Sequence, residues 1–234
     1  MFEVSLGSIP GPYHLKNNLN NQDAVVFHDE RDHFVAAIAD GAGSLKHSDE
    51  GAYAAVNAAV YEAFAHVASG DLGEMTRQGL AAATTTQKRF ENYKEYGSTL
   101  TVVAMNQKGE WAVSAVGDSF AVVHMNDDSH EFVSGSPVGE YANITELLTS
   151  DSIHPIHASG SNAKGFSLST DGLEHVASVV EKSSPSGRNS HAGFWNGVLV
   201  RAEKGQLDVL ALFEWLNKQD QITDDTTLLT VVRR

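Results

Sequence analysis

Phe34-Val35-Ala36-Ala37-Ile38-Ala39-Asp40-Gly41 carries an apolar run straight into an acidic residue and a glycine. Gly165-Phe166-Ser167-Leu168-Ser169-Thr170-Asp171-Gly172 repeats the arrangement far downstream. Two more segments set acid beside a strand-like run: Asp23 before Ala24-Val25-Val26-Phe27, and Asp224-Asp225 before Thr226-Thr227-Leu228-Leu229-Thr230-Val231-Val232. Apolar and β-branched runs bounded by Gly and Asp read as strands. A folded sheet can bring four such carboxylates to one edge, where their mutual repulsion raises each pKa. Hard divalent cations relieve that repulsion, and carboxylate oxygens favour magnesium, manganese or calcium over zinc or copper. The glycine after Asp40 lets a backbone carbonyl approach an ion with no Cβ in the way. Spacing alone leaves a plainer alternative open, since Asp-Gly is a common turn dipeptide.

The chain has 234 residues, of which 41% are hydrophobic and 20% charged, a globular composition expected to form one domain over 1–234. Sixteen basic residues against 30 acidic ones leave a formal net charge of -14. That balance argues against nucleic acid, whose phosphates need Lys and Arg, and against an anionic membrane surface. Cysteine is absent, which excludes thiolate metal sites and cysteine nucleophiles and fits a cytoplasmic protein. The N-terminus shows no basic segment followed by an apolar one, so no signal peptide is expected. No Gly-x-Ser-x-Gly elbow, P-loop or His-Glu-x-x-His occurs.

Periodicity predicts strands at 24–28 and 34–39 and a helix over 49–68, capped by Ser48, with Tyr53, Val56, Val60, Phe64 and Val67 on its buried face. A second helix is predicted from Asp71, capped with Glu74, to Tyr96-Gly97. Strands follow at 98–105, 111–116 and 119–125, with Gly117-Asp118 as the turn between the last two, and shorter ones near 131–133 and 144–148. Leu173, Val176 and Val180 suggest one helix, and Val209, Leu212, Phe213 and Leu216 another. Residues 150–162 and 183–190 read as loops, and Trp111, Trp195 and Trp215 as core or packing residues. Strands in the middle with helices on either side suggest an α+β fold, with sheets packed face to face and helices outside.

Six short motifs, taken together, resemble the metal-dependent protein phosphatase family, type 2C. Asn21-Gln22-Asp23-Ala24 resembles the opening Asn-Glu-Asp-Ala, and Ala39-Asp40-Gly41-Ala42-Gly43-Ser44 the Asp-Gly-x-Gly-Gly loop. Gly97-Ser98-Thr99-Leu100 resembles the Gly-Ser/Thr-Thr element, and Ala115-Val116-Gly117-Asp118-Ser119 resembles Asn-Val-Gly-Asp-Ser. Leu168-Ser169-Thr170-Asp171-Gly172-Leu173 resembles the Ser-Asp-Gly-Leu/Ile motif, and Asp224-Asp225-Thr226-Thr227 the terminal Asp-Asn-x-Thr. The loop Asp40-Gly41-Ala42-Gly43-Ser44, together with Gly139-Glu140-Tyr141-Ala142-Asn143-Ile144-Thr145, resembles a compact bacterial branch, and the short stretch between Asp118 and Asp171 implies a reduced flap.

The resemblance implies a four-layer α/β/β/α sandwich of two antiparallel sheets, with two divalent ions (Mn2+ or Mg2+) in a cleft at one end. It assigns metal ligation to Asp23, Asp40, Asp171 and Asp224, a carbonyl ligand to Gly41, and a third ion to Asp118 with Asp171. Asp40 and Asp23 would act catalytically through water activated between the ions. The implied substrate is a phosphoserine or phosphothreonine protein, and a monomer is expected. The chain departs from the family pattern at Asn18, where an Arg usually grips phosphate; Lys16, Asn18 or His14 are the replacements at hand. Gln22 replaces Glu, and Ala42 stands where many eukaryotic members carry His. These departures raise two alternatives: a metal-binding but weakly active signalling module, and a metallophosphatase acting on a small phosphorylated metabolite.

Overall fold

The structure, a computed structural model, describes residues 1–30, 32–135, 145–181 and 187–234. The elements are β1 (Phe2–Ile9), α1 (Pro12–Asn17), β2 (Asp23–Glu30), β3 (His33–Asp40), α2 (Ser48–Ala65), α3 (Leu72–Gln87), β4 (Leu100–Asn106), β5 (Trp111–Met125), β6 (His130–Gly135), β7 (Ile156–Gly160), β8 (Ala163–Ser169), α4 (Glu174–Ala177), β9 (Ser178–Val180), β10 (Arg188–Ser190), α5 (Ala192–Ala202), α6 (Val209–Asn217) and β11 (Thr226–Arg233). Most strands form a large antiparallel sheet in the order β1-β11-β8-β5-β4-β3-β2, with β6 and β7 also paired to β5, while β9 and β10 pair with each other in a separate two-stranded sheet. It is a mixed fold, with helices packed on a large antiparallel sheet.

β3 shows why the opening octet folds as it does. Successive strand residues face opposite ways, and both faces of β3 are covered. Phe34, Ala36 and Ile38 join a cluster with Val103, Met105, Val113, Phe166, Leu168 and Val231. Val35, Ala37 and Ala39 join another with residues of α2 and α3, among them Ala55, Ala59 and Met75. A third cluster sets Phe120, Val122 and Leu228 against Trp195, Val198, Phe213 and Leu216. Burying one such large side chain contributes about 1.5–3 kcal/mol, so these clusters dominate the stabilisation.

Several expectations need correction. Gly117-Asp118 is not a turn: β5 runs unbroken through it. Its first half pairs with β4 and β7, its second half with β6 and β8, and the register slips between Gly117 and Phe120. A bulge bends a strand and re-aims a side chain; here Gly117 takes φ +88° and Asp118 sits on the bend. The buried face of α2 keeps part of the predicted one, since Val56 and Val60 are buried and Phe64 packs against the same cluster, but it is wider and turned away from Tyr53. It uses Ala52, Ala55, Val56, Ala59, Val60 and Ala63, while Tyr53 is exposed. The alanines beside Val56 and Val60 let α3 approach closely: a Cβ on Gly79 would meet the Ala59 carbonyl oxygen at 2.7 Å.

Asp71 caps α3 as expected, accepting the Glu74 N–H at 2.9 Å, but the helix stops at Gln87. A separate 3₁₀ turn spans Tyr93–Tyr96 after Asn92 enters the left-handed region. Leu173, Val176 and Val180 do not share a helix: a 3₁₀ turn, the short α4 and strand β9 divide them. Within the predicted loops lie β7, pairing with β5, and β10, pairing with β9. Described residues of 144–148 form no strand. Trp111 and Trp195 are buried, but Trp215 is 58% exposed. The stretch 139–144, which carries most of the bacterial-branch resemblance between Asp118 and Asp171, lies outside the described residues.

Candidate metal centre

The ladder between β2 and β3 ends by setting Asp23 directly opposite Asp40. Asp40 is fixed by Thr99: the Asp40 N–H donates to Thr99 Oγ1 at 2.9 Å, and the Thr99 N–H donates to the Asp40 carbonyl at 2.8 Å. Thr99 Oγ1 in turn lies 2.7 Å from Ser119 Oγ, tying this end of β3 to the residue after Asp118. The Gly41 N–H donates to the Gln22 carbonyl at 3.0 Å, which locks the two acidic loops together. A Cβ on Gly41 would meet the Ser48 carbonyl oxygen at 2.6 Å, so only glycine fits this close approach.

β8 delivers Asp171 from the other side. Thr170, just before it, donates from Oγ1 to Asp23 Oδ2 at 2.8 Å and accepts the Thr227 N–H at 3.0 Å. Asp118, on the bend of β5, accepts the Thr145 hydroxyl at 2.5 Å. Asp40, Asp118 and Asp171 each offer a carboxylate oxygen, and these oxygens lie within 4.8 Å of one another. β3, β5 and the end of β8 therefore contribute one acid each to a single cluster.

The electrostatics follow from this crowding. Burial pushes Asp23 up to about 8; hydrogen bonds from Thr170 and Thr227 oppose the rise, and the charges of Asp225 and Asp171 add to it. Burial, then repulsion from Asp23, Asp171, Asp118 and Asp224, holds Asp40 well above the usual carboxylate range. Burial and the charges of Asp118 and Asp224 lift Asp171 to about 7. Asp23 Oδ1 is also buried without a hydrogen-bond partner, which is costly for a carboxylate oxygen. Hard oxygen donors, mutual repulsion and an orphaned oxygen all suit a divalent cation. A cleft of about 550 Å3 opens beside Asp23, lined in part by Asn20, Asn21, Asp49, Glu50 and Tyr53.

The other sequence candidates fall differently. Asp224 is exposed and lies outside the close trio; its Oδ1 accepts the Asp225 N–H at 2.9 Å, while its charge still acts on Asp40 and Asp171. Lys16 and Asn18 are exposed at the end of α1, with Asn18 left-handed at φ 53°. His14 is not free to replace the missing Arg through Nδ1, which lies 2.7 Å from the buried Asp225 carboxylate. Gln22 acts through its backbone, giving its N–H to Asp225 Oδ2 and its carbonyl to Gly41. Thr170, Thr145 and Asp225 escaped the sequence reading. The only signal for Asp225 was its place beside Asp224, where the resemblance has Asn.

The family model described as Protein phosphatase 2C matches residues 10–217. Serine/threonine-protein phosphatase 3 of Escherichia coli (strain K12) is 27% identical over 244 aligned residues, covering 94% of each chain. Among solved structures, the serine/threonine phosphatase Stp1 from Staphylococcus aureus is 16% identical, with TM-score 0.66 over 100% of this chain and 96% of its own. PppA from Pseudomonas aeruginosa, a regulatory component of T6SS, is 19% identical, with TM-score 0.64 over 100% of this chain and 98% of its own. At such identities these structures speak for the fold alone. The chain belongs to the protein phosphatase 2C family and is a metal-dependent serine/threonine phosphatase of bacterial type.

Proposed function

We propose that the acidic cluster holds two divalent ions, Mn2+ or Mg2+, and hydrolyses phosphoserine and phosphothreonine in protein substrates. Asp23, Asp40, Asp171, Asp224 and the Gly41 carbonyl are the ligands in this reading, and Asp118 with Asp171 offers a third, weaker site. The observation that carries it is the approach of carboxylate oxygens from Asp40, Asp118 and Asp171 to within 4.8 Å of one another. Ions bound there supply positive charge for a phosphoryl group and Lewis acidity for water.

The chain's own work is positioning. Asp23 and Asp40 are held across one rung of the β2–β3 ladder, so their spacing is set by backbone rather than by flexible side chains. Thr170 orients Asp23, and Thr145 orients Asp118. The cleft beside Asp23 gives a phosphorylated side chain room to enter. Without cations the cluster repels a phosphate dianion, so substrate binding depends on charge supplied by ions. Lys16, or the amide of Asn18, is the group offered to phosphate from α1.

The three apolar clusters support a four-layer arrangement, with α2 and α3 on one side, α5 and α6 on the other, and two sheet faces between. We read residues 1–234 as one domain with a reduced flap. A net charge of -14 disfavours self-association and supports a monomer. Among the described residues no helix is long and apolar enough to cross a membrane. A cytoplasmic setting accords with the cysteine-free composition. The purified protein should hydrolyse p-nitrophenyl phosphate and a phosphothreonine peptide with manganese present, and EDTA should abolish both. Activity that survives EDTA would refute the reading.

A further inference from the structure

We propose that the buried pair His14–Asp225 is a positioning device that sets the spacing of the metal centre, so that these two residues, neither of them in the close acidic trio, govern manganese affinity. The inference rests on the metal-centre reading above. Asp225 is 4% exposed and His14 6% exposed. Three donors converge on the Asp225 carboxylate. The Gly11 N–H donates to Oδ1 and the Gln22 N–H to Oδ2, each at 2.7 Å, and His14 Nδ1 lies 2.7 Å from both oxygens. One side chain thereby pins the residue before α1, the helix itself and the residue before Asp23.

The pinning continues into the site. The Gln22 carbonyl accepts the Gly41 N–H at 3.0 Å, so the backbone held by Asp225 also holds the loop after Asp40. The Asp225 backbone is clamped in turn. A Cβ on Gly11 would fall 2.7 Å from the Asp225 nitrogen, and a Cβ on Gly172 would fall 2.3 Å from the Asp225 carbonyl oxygen. Gly172 follows Asp171, and Asp225 follows Asp224. The segments bearing Asp23, Asp40, Asp171 and Asp224 therefore all bear on this one residue.

A buried carboxylate held by three donors loses heavily when one is removed, because the remaining charge is left unpaired. The backbone around Gln22 must then shift to let water in, and Asp23 and Gly41 move with it. The His14 ring bonds the Asp225 carboxylate and stands outside the trio of Asp40, Asp118 and Asp171, so its effect on ions must pass through that carboxylate.

Calorimetric titration with manganese, paired with thermal unfolding, tests the proposal on wild type, His14→Phe, His14→Gln and Asp225→Asn. His14→Phe keeps the ring volume and removes the donor; it should weaken manganese binding about tenfold or more, in the range seen when an outer partner of a metal site is lost. His14→Gln restores a donor and should recover part of that loss. Asp225→Asn turns an NH2 towards an N–H and should also bind manganese weakly. If it fails to fold, the two His14 variants decide the question. Folded variants whose manganese affinity stays within about twofold of wild type, even with a lowered melting temperature, would identify a purely structural tie and overturn the proposal. A wild type that binds no manganese overturns the metal centre itself, and the proposal with it.

Discussion

Asp23 and Asp40 face each other across the last rung of the β2–β3 ladder, each with a raised pKa. A strand pair places residues opposite each other at close range, and like charges there destabilise. The chain tolerates this because β3 is buried on both faces and its neighbours leave the strand nowhere else to go. Core packing thus supports a repulsive pair at the site.

Asp40→Asn removes one of the crowded charges. Turnover should fall by more than the roughly 10–100-fold typical of losing an outer-shell partner. Metal-free Asp40→Asn should nonetheless melt above metal-free wild type near neutral pH, because less repulsion remains. Activity assays with manganese and thermal melts in EDTA check the two halves. A variant that is both inactive and less stable without metal would point to misfolding.

The metal-free protein should lose stability as pH rises. Asp23 titrates near 3.8 when unfolded and about 8 when folded, and Asp171 is lifted to about 7. The folded state therefore holds more protons across that window. The stability these groups contribute is complete below pH 3.8 and is lost progressively towards pH 8. Melting temperatures in EDTA should decline across this range, and manganese should restore most of the loss at the alkaline end. A flat or rising EDTA profile would count against the raised carboxylates.

Gly117→Ala should be costly far beyond its one methyl group. The position has φ +88°, and a Cβ there would lie 2.5 Å from Thr99 Cγ2. Left-handed strain alone costs about 1–3 kcal/mol. Because the bend also aims Asp118 and Thr99 steadies Asp40, manganese binding should weaken along with stability. Urea unfolding and a manganese titration measure the two effects.

Thr170→Val keeps the shape and removes the hydroxyl that donates to Asp23 Oδ2. Losing a hydrogen bond to a charged group costs about 1.5–3 kcal/mol. Manganese affinity should fall about tenfold, and the pH at which binding begins should move upward. An affinity equal to wild type would show that Thr170 serves only the Thr227 backbone.

Much of the site was legible because its acids end strongly patterned strands. The alternation in Phe34–Ala39 fixes which residues face which core, and so where Asp40 must emerge. Less was legible where partners, not propensity, decide. β1 is an outer strand whose register is set by β11, its own residues being only partly buried. β7, Ile156-His157-Ala158-Ser159-Gly160, has weak strand propensity and forms because β5 offers a free edge. Gly117-Asp118 resembles a turn locally, and only the two-sided pairing of β5 makes it a bulge. The hold of Thr170 on Asp23 spans 147 positions in sequence, so no local pattern announces it.

Anomalous diffraction from a manganese-soaked crystal addresses the metal centre most directly. Two strong peaks should appear among Asp23, Asp40, Asp171 and Asp224, the first beside the Gly41 carbonyl, with any third, weaker peak next to Asp118. A map with no peak among these carboxylates, or with manganese only at other surface acids, would contradict a metal-dependent reaction at this site.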